Sequence, residues 1–170
     1  MTETIRPETD ADRSAIRHIH QDAFGGDAEA DLVNALRAGG WVEVSLMAEV
    51  EGLVAGHILF SRVTIRTRAG SVDALCLAPM AVLGGFQRRG LGTKLVRAGL
   101  ECCREQGHKM VLVLGHPDFY QRFGFSAELA RPLQSPFGGG DAWMALELVD
   151  GALAGIEGEV EFSPPFAALG

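Results

Sequence analysis

QRRGLG, at residues 87–92, is the most informative stretch of this sequence. The chain before it is rich in Val, Ile and Leu up to Val82-Leu83, as in a strand, and a helical pattern of apolar residues begins near Gly90. A turn between a strand and a helix presents backbone N–H groups at the positive end of the helix dipole, where they can bind phosphate. The stretch therefore predicts a pyrophosphate-binding turn.

The residue types of the turn suit an anionic ligand. Gly90 and Gly92 have no Cβ, so the backbone can approach a ligand closely. Thr93 can add a hydroxyl, and Arg88 or Arg89 can reach outer phosphate oxygens. A turn in which the glycines only shape the surface is the competing interpretation at this point.

Two other phosphate-binding motifs do not match. The spacing of Gly85 and Gly90 is that of a nucleotide P-loop, but Leu91-Gly92 stands where Lys and Ser/Thr are required. A dinucleotide fingerprint beginning at Gly90 needs a third glycine where the chain has Leu95. The strands before it also have the pattern of an antiparallel meander, which is not the setting of that fingerprint.

The N-terminal half predicts two helices and then three strands. A short extended segment at residues 5–7 precedes a helix from near Asp12 to Gly25-Gly26, and a second helix runs from Asp27 to Gly39-Gly40. Strands are expected at residues 44–50, 53–65 and 72–82, antiparallel and joined by tight turns. Pro79 cannot donate a ladder hydrogen bond, so we expect a bulge or a local parting of strands there.

The C-terminal half predicts a helix, a buried strand and a less regular tail. The helix spans residues 90–106 with Gly107 as its cap, and the apolar run at residues 110–114 is expected to be a parallel strand. Pro117 can open a short helix through Arg122. Irregular chain is expected after Gly124-Phe125, with the glycines at 138–140 in a lid or binding loop. Residues 143–148 and 159–162 are predicted closing strands.

Bulk properties narrow the class of protein. With 22 acidic and 15 basic residues, the net charge is -7, which argues against a nucleic-acid partner. The three cysteines include an adjacent pair and predict neither disulfides nor a zinc site. No apolar run approaches the length of a membrane span, so we expect a cytoplasmic protein of one domain, residues 1–170. The oligomeric state is open, and a homodimer is compatible with the sequence.

The turn resembles the acetyl-CoA motif of the GCN5-related N-acetyltransferases (GNAT), Gln/Arg-x-x-Gly-x-Gly/Ala after a strand. A second motif of that family, an aromatic-tyrosine pair before Gly-Phe, is matched at residues 119–125. The patterns at residues 77–82 and 145–148 are similar to a bacterial subgroup of predicted acetyltransferases. The resemblance covers about residues 5–125, leaving 126–170 as a variable tail, and Gly84-Gly85 replaces the proline-containing turn common in the family.

The resemblance implies an α/β fold of the α+β kind. Its sheet is mixed, with antiparallel N-terminal strands, a parallel strand pair that splays around the cofactor, and flanking helices. Acetyl-CoA is the implied co-substrate, and no metal is expected, since His18 and His20 lie two apart on a helix and face different directions. The residues implied to bind the cofactor are Met80, Ala81, Val82, Gln87, Arg88, Arg89, Gly90, Leu91, Gly92, Thr93, Phe119 and Tyr120.

The resemblance also implies a mechanism of direct attack by a primary amine on the thioester. The backbone N–H of Val82 is the expected oxyanion donor, and Tyr120, the only tyrosine, is the expected general acid. No clear counterpart of the family's glutamate base is present; Asp73 and His116 are the candidates, whereas His57 in an apolar strand is more typical of a core residue. The alternative function is an acyl-CoA-binding sensor or partner protein that performs no transfer.

Overall fold

A computed structural model of the chain describes residues 2–169. The strands in this range are β1 (Glu3–Pro7), β2 (Val42–Val50), β3 (Leu53–Thr67), β4 (Gly70–Val82), β5 (Met110–Leu114), β6 (Leu133–Gln134), β7 (Trp143–Glu147) and β8 (Gly158–Glu161). They form one mixed sheet in the order β1-β2-β3-β4-β5-β7, and the pair of β6 and β8 extends it where β8 pairs with β3.

The predicted antiparallel meander is confirmed in strands β2, β3 and β4. Val50 pairs with Leu53 across a two-residue turn in which Glu51 and Gly52 both have positive φ, 52° and 78°. Such turns match the twist of a hairpin. The meander forms the rigid centre of the sheet against which the helices pack.

The helices lie on two sides of this sheet. They are α1 (Arg13–Phe24), α2 (Ala28–Ala38), α3 (Leu91–Glu105), α4 (Pro117–Tyr120) and α5 (Ala127–Ala130). The first two share one apolar cluster with Met47 and Leu59, and α3 shares the other with Ile58 and Phe60. Because neighbouring residues of β3 point to opposite faces, α1 and α2 cover one face and α3 the other.

The parting of strands predicted at Pro79 is confirmed. The register between β3 and β4 shifts between Ile58 and Phe60, opposite the proline. On its other edge, β4 pairs in parallel with β5 only at Leu75 and Cys76, so the two strands separate beyond that point. The fold class expected from the sequence is therefore correct. The separation of β4 and β5 also leaves a gap in the sheet that connects its two faces.

The prediction of irregular chain after Phe125 is wrong in part. Ser126 accepts a hydrogen bond from the Leu129 N–H at 3.2 Å and caps α5, a helix of one turn. Strand β6 then pairs with β8, which occupies the edge of β3 beyond the end of β2. Elements this short have too few residues to show a period in the sequence. Both closing strands are present, with slightly different ends.

None of the helices among residues 2–169 is both long and apolar enough to cross a membrane.

Candidate active site

A cleft of about 1070 Å³ opens where β4 and β5 separate. Its walls come from the edge of β4, the turn before α3, residues 114–122, the α1–α2 corner and Leu169. Because it lies at the gap in the sheet, the cleft has one end at the N-terminus of α3 and the other against α1 and α2. Its volume is at the upper limit usual for small-molecule sites.

The α3 end of the cleft presents free backbone donors. Gly90 caps the helix with φ 83°, and the first bond within it runs from the Lys94 N–H to the Gly90 carbonyl at 3.1 Å. The N–H groups of Leu91, Gly92 and Thr93 have no earlier carbonyl to bind, and no side chain in the described part of the chain caps them. They form the predicted site for a pyrophosphate.

Gly92 keeps this donor group open. A Cβ at this position would stand 3.5 Å from Phe119 Cζ and 3.7 Å from Met80 Cε, in ordinary contact and inside the cleft. The fold can therefore accommodate a methyl group there, whereas a ligand against the helix could not. Glycine at position 92 serves ligand approach more than chain conformation.

The turn residues differ in their positions. Gln87 Nε2 donates to the Val82 carbonyl at 2.9 Å, which ties the turn to the end of β4, and Arg88 lines the cleft. Arg89 is not brought to the cleft walls; its guanidinium lies 5.4 Å from the centre of the Phe86 ring. The sequence could not distinguish the two arginines, because the direction of each side chain depends on the turn conformation, in which Arg88 has φ 66°.

Arg122 is a cleft residue that sequence reasoning missed. Its guanidinium lies 4.8 Å from the centre of the Phe119 ring and donates to Thr93 Oγ1 at 3.2 Å, next to the free N–H groups of α3. The available signal was its spacing, since a residue three positions after Phe119 on a helical turn lies on the same side.

The edge of β4 offers a backbone donor at Val82. The next N–H, that of Leu83, donates to the Ala55 carbonyl in β3 at 2.8 Å. Successive N–H groups of a strand point to opposite sides, so the Val82 N–H points away from β3. The Val82 carbonyl, which has the same direction, accepts the Gln87 side chain beyond the strand edge. The position predicted for an oxyanion donor thus faces the gap.

Tyr120 lies in the cleft wall with a side chain that is almost fully buried, 8% exposed. Burial, and to a lesser degree Cys76, raises the pKa of its phenol to about 12, so it carries its proton at neutral pH. The hydroxyl makes no hydrogen bond to any of the described residues. Gly115 makes room for the ring, since a Cβ there would lie 2.5 Å from Tyr120 Cε2.

The two candidate bases lie in different parts of the molecule. His116 lines the cleft at the start of α4, and its carbonyl accepts the Tyr120 N–H at 3.1 Å. Asp73 is exposed near the start of β4, opposite Thr64, and is not a cleft residue. Nine residues of strand separate it from Val82, roughly 30 Å. The structure therefore places Asp73 outside the cleft. The sequence could not show this, because assigning a residue to a strand does not reveal which end of that strand meets the cleft.

A polar row behind the cleft, formed by two buried histidines and three half-buried residues, was also missed. Arg37 holds Glu8 at 2.8 Å, Ser45 Oγ donates to Glu8 Oε1 at 2.5 Å, and His57 Nε2 lies 2.8 Å from Ser45 Oγ. His57 Nδ1 lies 2.8 Å from His20 Nε2. Burial opposes the charge of Glu8, but the nearby His57 ring, 3.7 Å away, the hydrogen bond from Ser45 and the charge of Arg37 outweigh it and lower its pKa to about 2.

The direction of each hydrogen bond in this row follows from the carboxylate. Ser45 has one proton and gives it to Glu8, so it accepts from His57 Nε2–H, and His57 Nδ1 in turn accepts from His20 Nε2–H. Burial lowers the pKa of His20 to about 3 and also lowers the pKa of His57, so both rings are neutral. The interpretation of His57 as a satisfied core residue is confirmed.

The row supports two parts of the cleft wall. His57 pairs across the sheet with Ala81, which lines the cleft, and the His20 ring stacks on Phe24, another cleft residue, at 6.0 Å. Among residues 2–169, no group of three or more His, Cys, Asp or Glu side chains is arranged to hold a metal ion.

Free helix N–H groups, an open strand edge and a protonated phenol share one cleft, an arrangement that suits the transfer of a group from a carrier that bears a pyrophosphate. Residues 4–127 match the family model described as the acetyltransferase (GNAT) domain. The chain belongs to this family of acyltransferases, and the resemblance found in the sequence is confirmed.

Relatives agree with this assignment. The chain is 35% identical over 164 residues to YhbS of Escherichia coli, an uncharacterized N-acetyltransferase, with 95% of this chain and 97% of YhbS covered. It is 42% identical to the uncharacterized N-acetyltransferase YjhQ of the same species over 117 residues, 68% of this chain but only 65% of YjhQ.

Solved structures are also similar. YhbS in complex with CoA gives a TM-score of 0.90 at 34% identity, covering 99% of this chain and 93% of that one. A GNAT family acetyltransferase from Brucella melitensis in complex with acetyl-CoA gives 0.81 at 31% identity, covering 97% and 98%.

Proposed function

We propose that the protein transfers the acetyl group of acetyl-CoA to a primary amine, of a small molecule or of a protein. The observation that carries this proposal is that the free N–H groups of α3, the Val82 edge and Tyr120 line one cleft. The single sheet supports treating residues 1–170 as one N-acetyltransferase domain. Three free cysteines favour a cytoplasmic location.

The residues present fit acetyl-CoA. The N–H groups at the start of α3 would hold the pyrophosphate, with Arg88 and Arg122 on the outer oxygens. The edge of β4 from Met80 to Val82, which is not paired with β5, would bind the amide groups of the pantetheine arm as an added strand would. This arrangement leads the thioester toward Val82 and Tyr120.

Two residues would act on the reacting atoms. Acetyl-CoA supplies a thioester, whose carbonyl carbon forms a bond to the amine nitrogen as its bond to sulfur breaks. The Val82 N–H donates to the carbonyl oxygen and stabilises the negative charge that develops there. Tyr120 gives its proton to the departing sulfur. The proton lost by the amine nitrogen balances the one that Tyr120 gives up, so the products are an amide and a free thiol.

His116 is the remaining proposed proton acceptor. It lines the same cleft as Tyr120 and is exposed, so a proton taken from the amine can pass to solvent. His116 and Tyr120 lie in the same short segment, so one element of the fold positions both the base and the acid. We propose no role for Asp73, which lies outside the cleft.

Release of free thiol from acetyl-CoA tests the proposal. The protein is incubated with acetyl-CoA and a panel of amines of varied size and charge, and thiol release is compared with that of Tyr120→Phe. We expect acceptor-dependent release that this variant loses. Tight acetyl-CoA binding without turnover for any acceptor would contradict transfer and favour the acyl-CoA-binding sensor.

A further inference from the structure

The end of the cleft opposite α3 carries a distinct set of side chains. It is formed where α1 ends and α2 begins, together with the C-terminal segment; we call it the acceptor end and define it by Ala23, Phe24, Glu29, Leu32 and Leu169. These residues lie on the face of the sheet covered by α1 and α2, away from the predicted pyrophosphate site. An acceptor would reach the thioester from this side.

Exposed apolar side chains are concentrated at the cleft. Among the described residues, five large hydrophobic side chains are exposed: Phe24 at 47%, Leu53 at 63%, Leu114 at 43%, Val149 at 53% and Leu169 at 40%. Three of these, Phe24, Leu114 and Leu169, line this one cleft. Exposed apolar surface that gathers in a concave site is typical of ligand contact. The part of the ligand that lies here is therefore apolar.

Glu29 is the one carboxylate of the acceptor end. Its side chain is half-buried, and it has no hydrogen bond or ion pair with any residue in 2–169. The neighbouring acidic residues all have partners. Asp22 accepts the Gly84 N–H at 2.9 Å, Asp27 accepts from Gln21 at 2.8 Å, and Asp31 binds Arg17 at 3.0 Å.

The position of Glu29 in the first turn of α2 gives it one structural role, because a carboxylate there interacts favourably with the helix dipole. Asp31, in the same turn, has that role as well and points to Arg17 outside the cleft. The dipole does not account for a carboxylate that lines an apolar wall. A ligand that carries a cation would account for it, because the cation would pair with Glu29.

We infer that Glu29 selects the acceptor, and that the acceptor is an amine on an apolar, carboxylate-free body, such as an alkylamine or arylalkylamine. This inference rests on the proposed function. The Glu29 carboxylate attracts the cationic amine into the cleft, while Phe24 and Leu169 contact its apolar body. The ammonium group loses one proton to solvent before the neutral amine attacks the thioester. An amino acid is disfavoured, because its carboxylate would be repelled by the Glu29 carboxylate in the same cleft.

Matched acceptors test this selection. Phenethylamine and phenylalanine share the ring and the amine but differ by one carboxylate, and phenylalanine methyl ester keeps the bulk without the charge. We expect kcat/KM for phenethylamine to exceed that for phenylalanine by about 30-fold, with the ester much nearer to phenethylamine. Ethanolamine, which lacks the apolar body, is expected to be about 10-fold worse than phenethylamine.

Variants connect the preference to Glu29. Glu29→Gln should reduce the preference for phenethylamine over phenylalanine to about 3-fold, and Glu29→Lys should favour phenylalanine. Asp31→Asn, in the same turn but outside the cleft, should leave the preference unchanged. Thermal unfolding of each variant separates loss of helix stability from loss of selectivity.

The outcomes separate this inference from the proposed function. Turnover of amines with equal or better use of phenylalanine, or a preference that Glu29→Gln leaves intact, overturns the role of Glu29 and leaves the acetyltransferase standing. Acetyl-CoA binding with no turnover for any amine overturns the proposed function and this inference together.

Discussion

The two ends of the cleft are built in different ways. The backbone donors of the α3 end come from one continuous segment, residues 90–93, whose N–H groups face the cleft because a helix begins there. The acceptor end is assembled from residues 23–32, at the close of α1 and the start of α2, and from Leu169, which is far from them in sequence. The first uses backbone donors with a fixed geometry, and the second uses side chains.

This difference determines what each end can specify. Backbone N–H groups at a helix start bind any suitably placed anion, so the α3 end suits a constant ligand such as a pyrophosphate. Side chains such as Phe24 and Glu29 can change individually without disturbing the backbone. We therefore expect substitutions at the α3 end to weaken all reactions equally and those at the acceptor end to change the order of acceptors.

The largest effect is expected where the two ends meet, at Tyr120. Tyr120→Phe removes the proton donor for the departing sulfur and should lower kcat by about 100-fold or more, while the dissociation constant of acetyl-CoA stays nearly the same. Steady-state kinetics and calorimetric titration measure the two quantities. A kcat within twofold of the parent would remove Tyr120 from the acid role.

The next effect isolates the α3 end. Gly92→Val places two methyl groups where the pyrophosphate should lie, and we expect CoA affinity to fall by about 50-fold for lack of the helix N–H contacts. Gly85→Val makes the same change in the same turn, but its Cβ meets nothing within 4 Å and the residue does not line the cleft. Its CoA affinity should be normal. Undiminished affinity in Gly92→Val would count against this pyrophosphate site.

Acid should lower the free energy of unfolding through the buried histidines beside the α1 wall of the acceptor end. His20, with its pKa lowered to about 3, stays neutral in the folded chain, whereas in the unfolded chain it binds a proton below its ordinary pKa of 6.5. The free energy of unfolding is therefore greatest above about pH 6.5 and falls as the pH drops below it. We expect a loss of about 2 kcal/mol in the free energy of unfolding for this histidine between about pH 7.5 and about pH 5.

Urea unfolding at the two pH values checks this loss. His20→Asn should remove the part of the pH dependence that comes from His20 and leave the part that the buried His57 contributes, whereas His18→Asn, an exposed position on the same helix, should keep both parts. Glu8 does not contribute in this range, because its carboxylate is ionised in both states above its ordinary pKa of 4.5. A parent protein of equal stability at both pH values would show that the histidines are not held neutral.

The smallest effect concerns Arg122 at the α3 end. Arg122→Gln should weaken CoA binding by about 5-fold at low salt and less at high salt, since an exposed cation contributes modestly and is screened. Arg104→Gln, near the far end of α3, should have no effect on this affinity. Equal salt dependence in the parent and Arg122→Gln would place the guanidinium away from the phosphates.

The sequence was sufficient for features that depend on local rules. The helix and strand order to Phe125, the parting at Pro79 and the donors before α3 follow from short stretches, because a missing N–H, a glycine and a hydrophobic period each act within a few residues. The short elements after Phe125 were not predictable in this way, since one-turn helices and two-residue strands form only where the rest of the sheet supports them.

What the sequence by itself determined is therefore the family and the helix start that supplies the free N–H groups, and it singled out Tyr120 as the proposed acid. The tertiary structure alone decided which arginine of the turn reaches the cleft, that Asp73 does not, that His20 and His57 join a row from Glu8, and that Glu29 lines the same cleft as Phe24 and Leu169. The physical reason is distance along the chain: backbone conformation is set by neighbours, whereas the environment of a side chain is set by whatever the fold brings beside it.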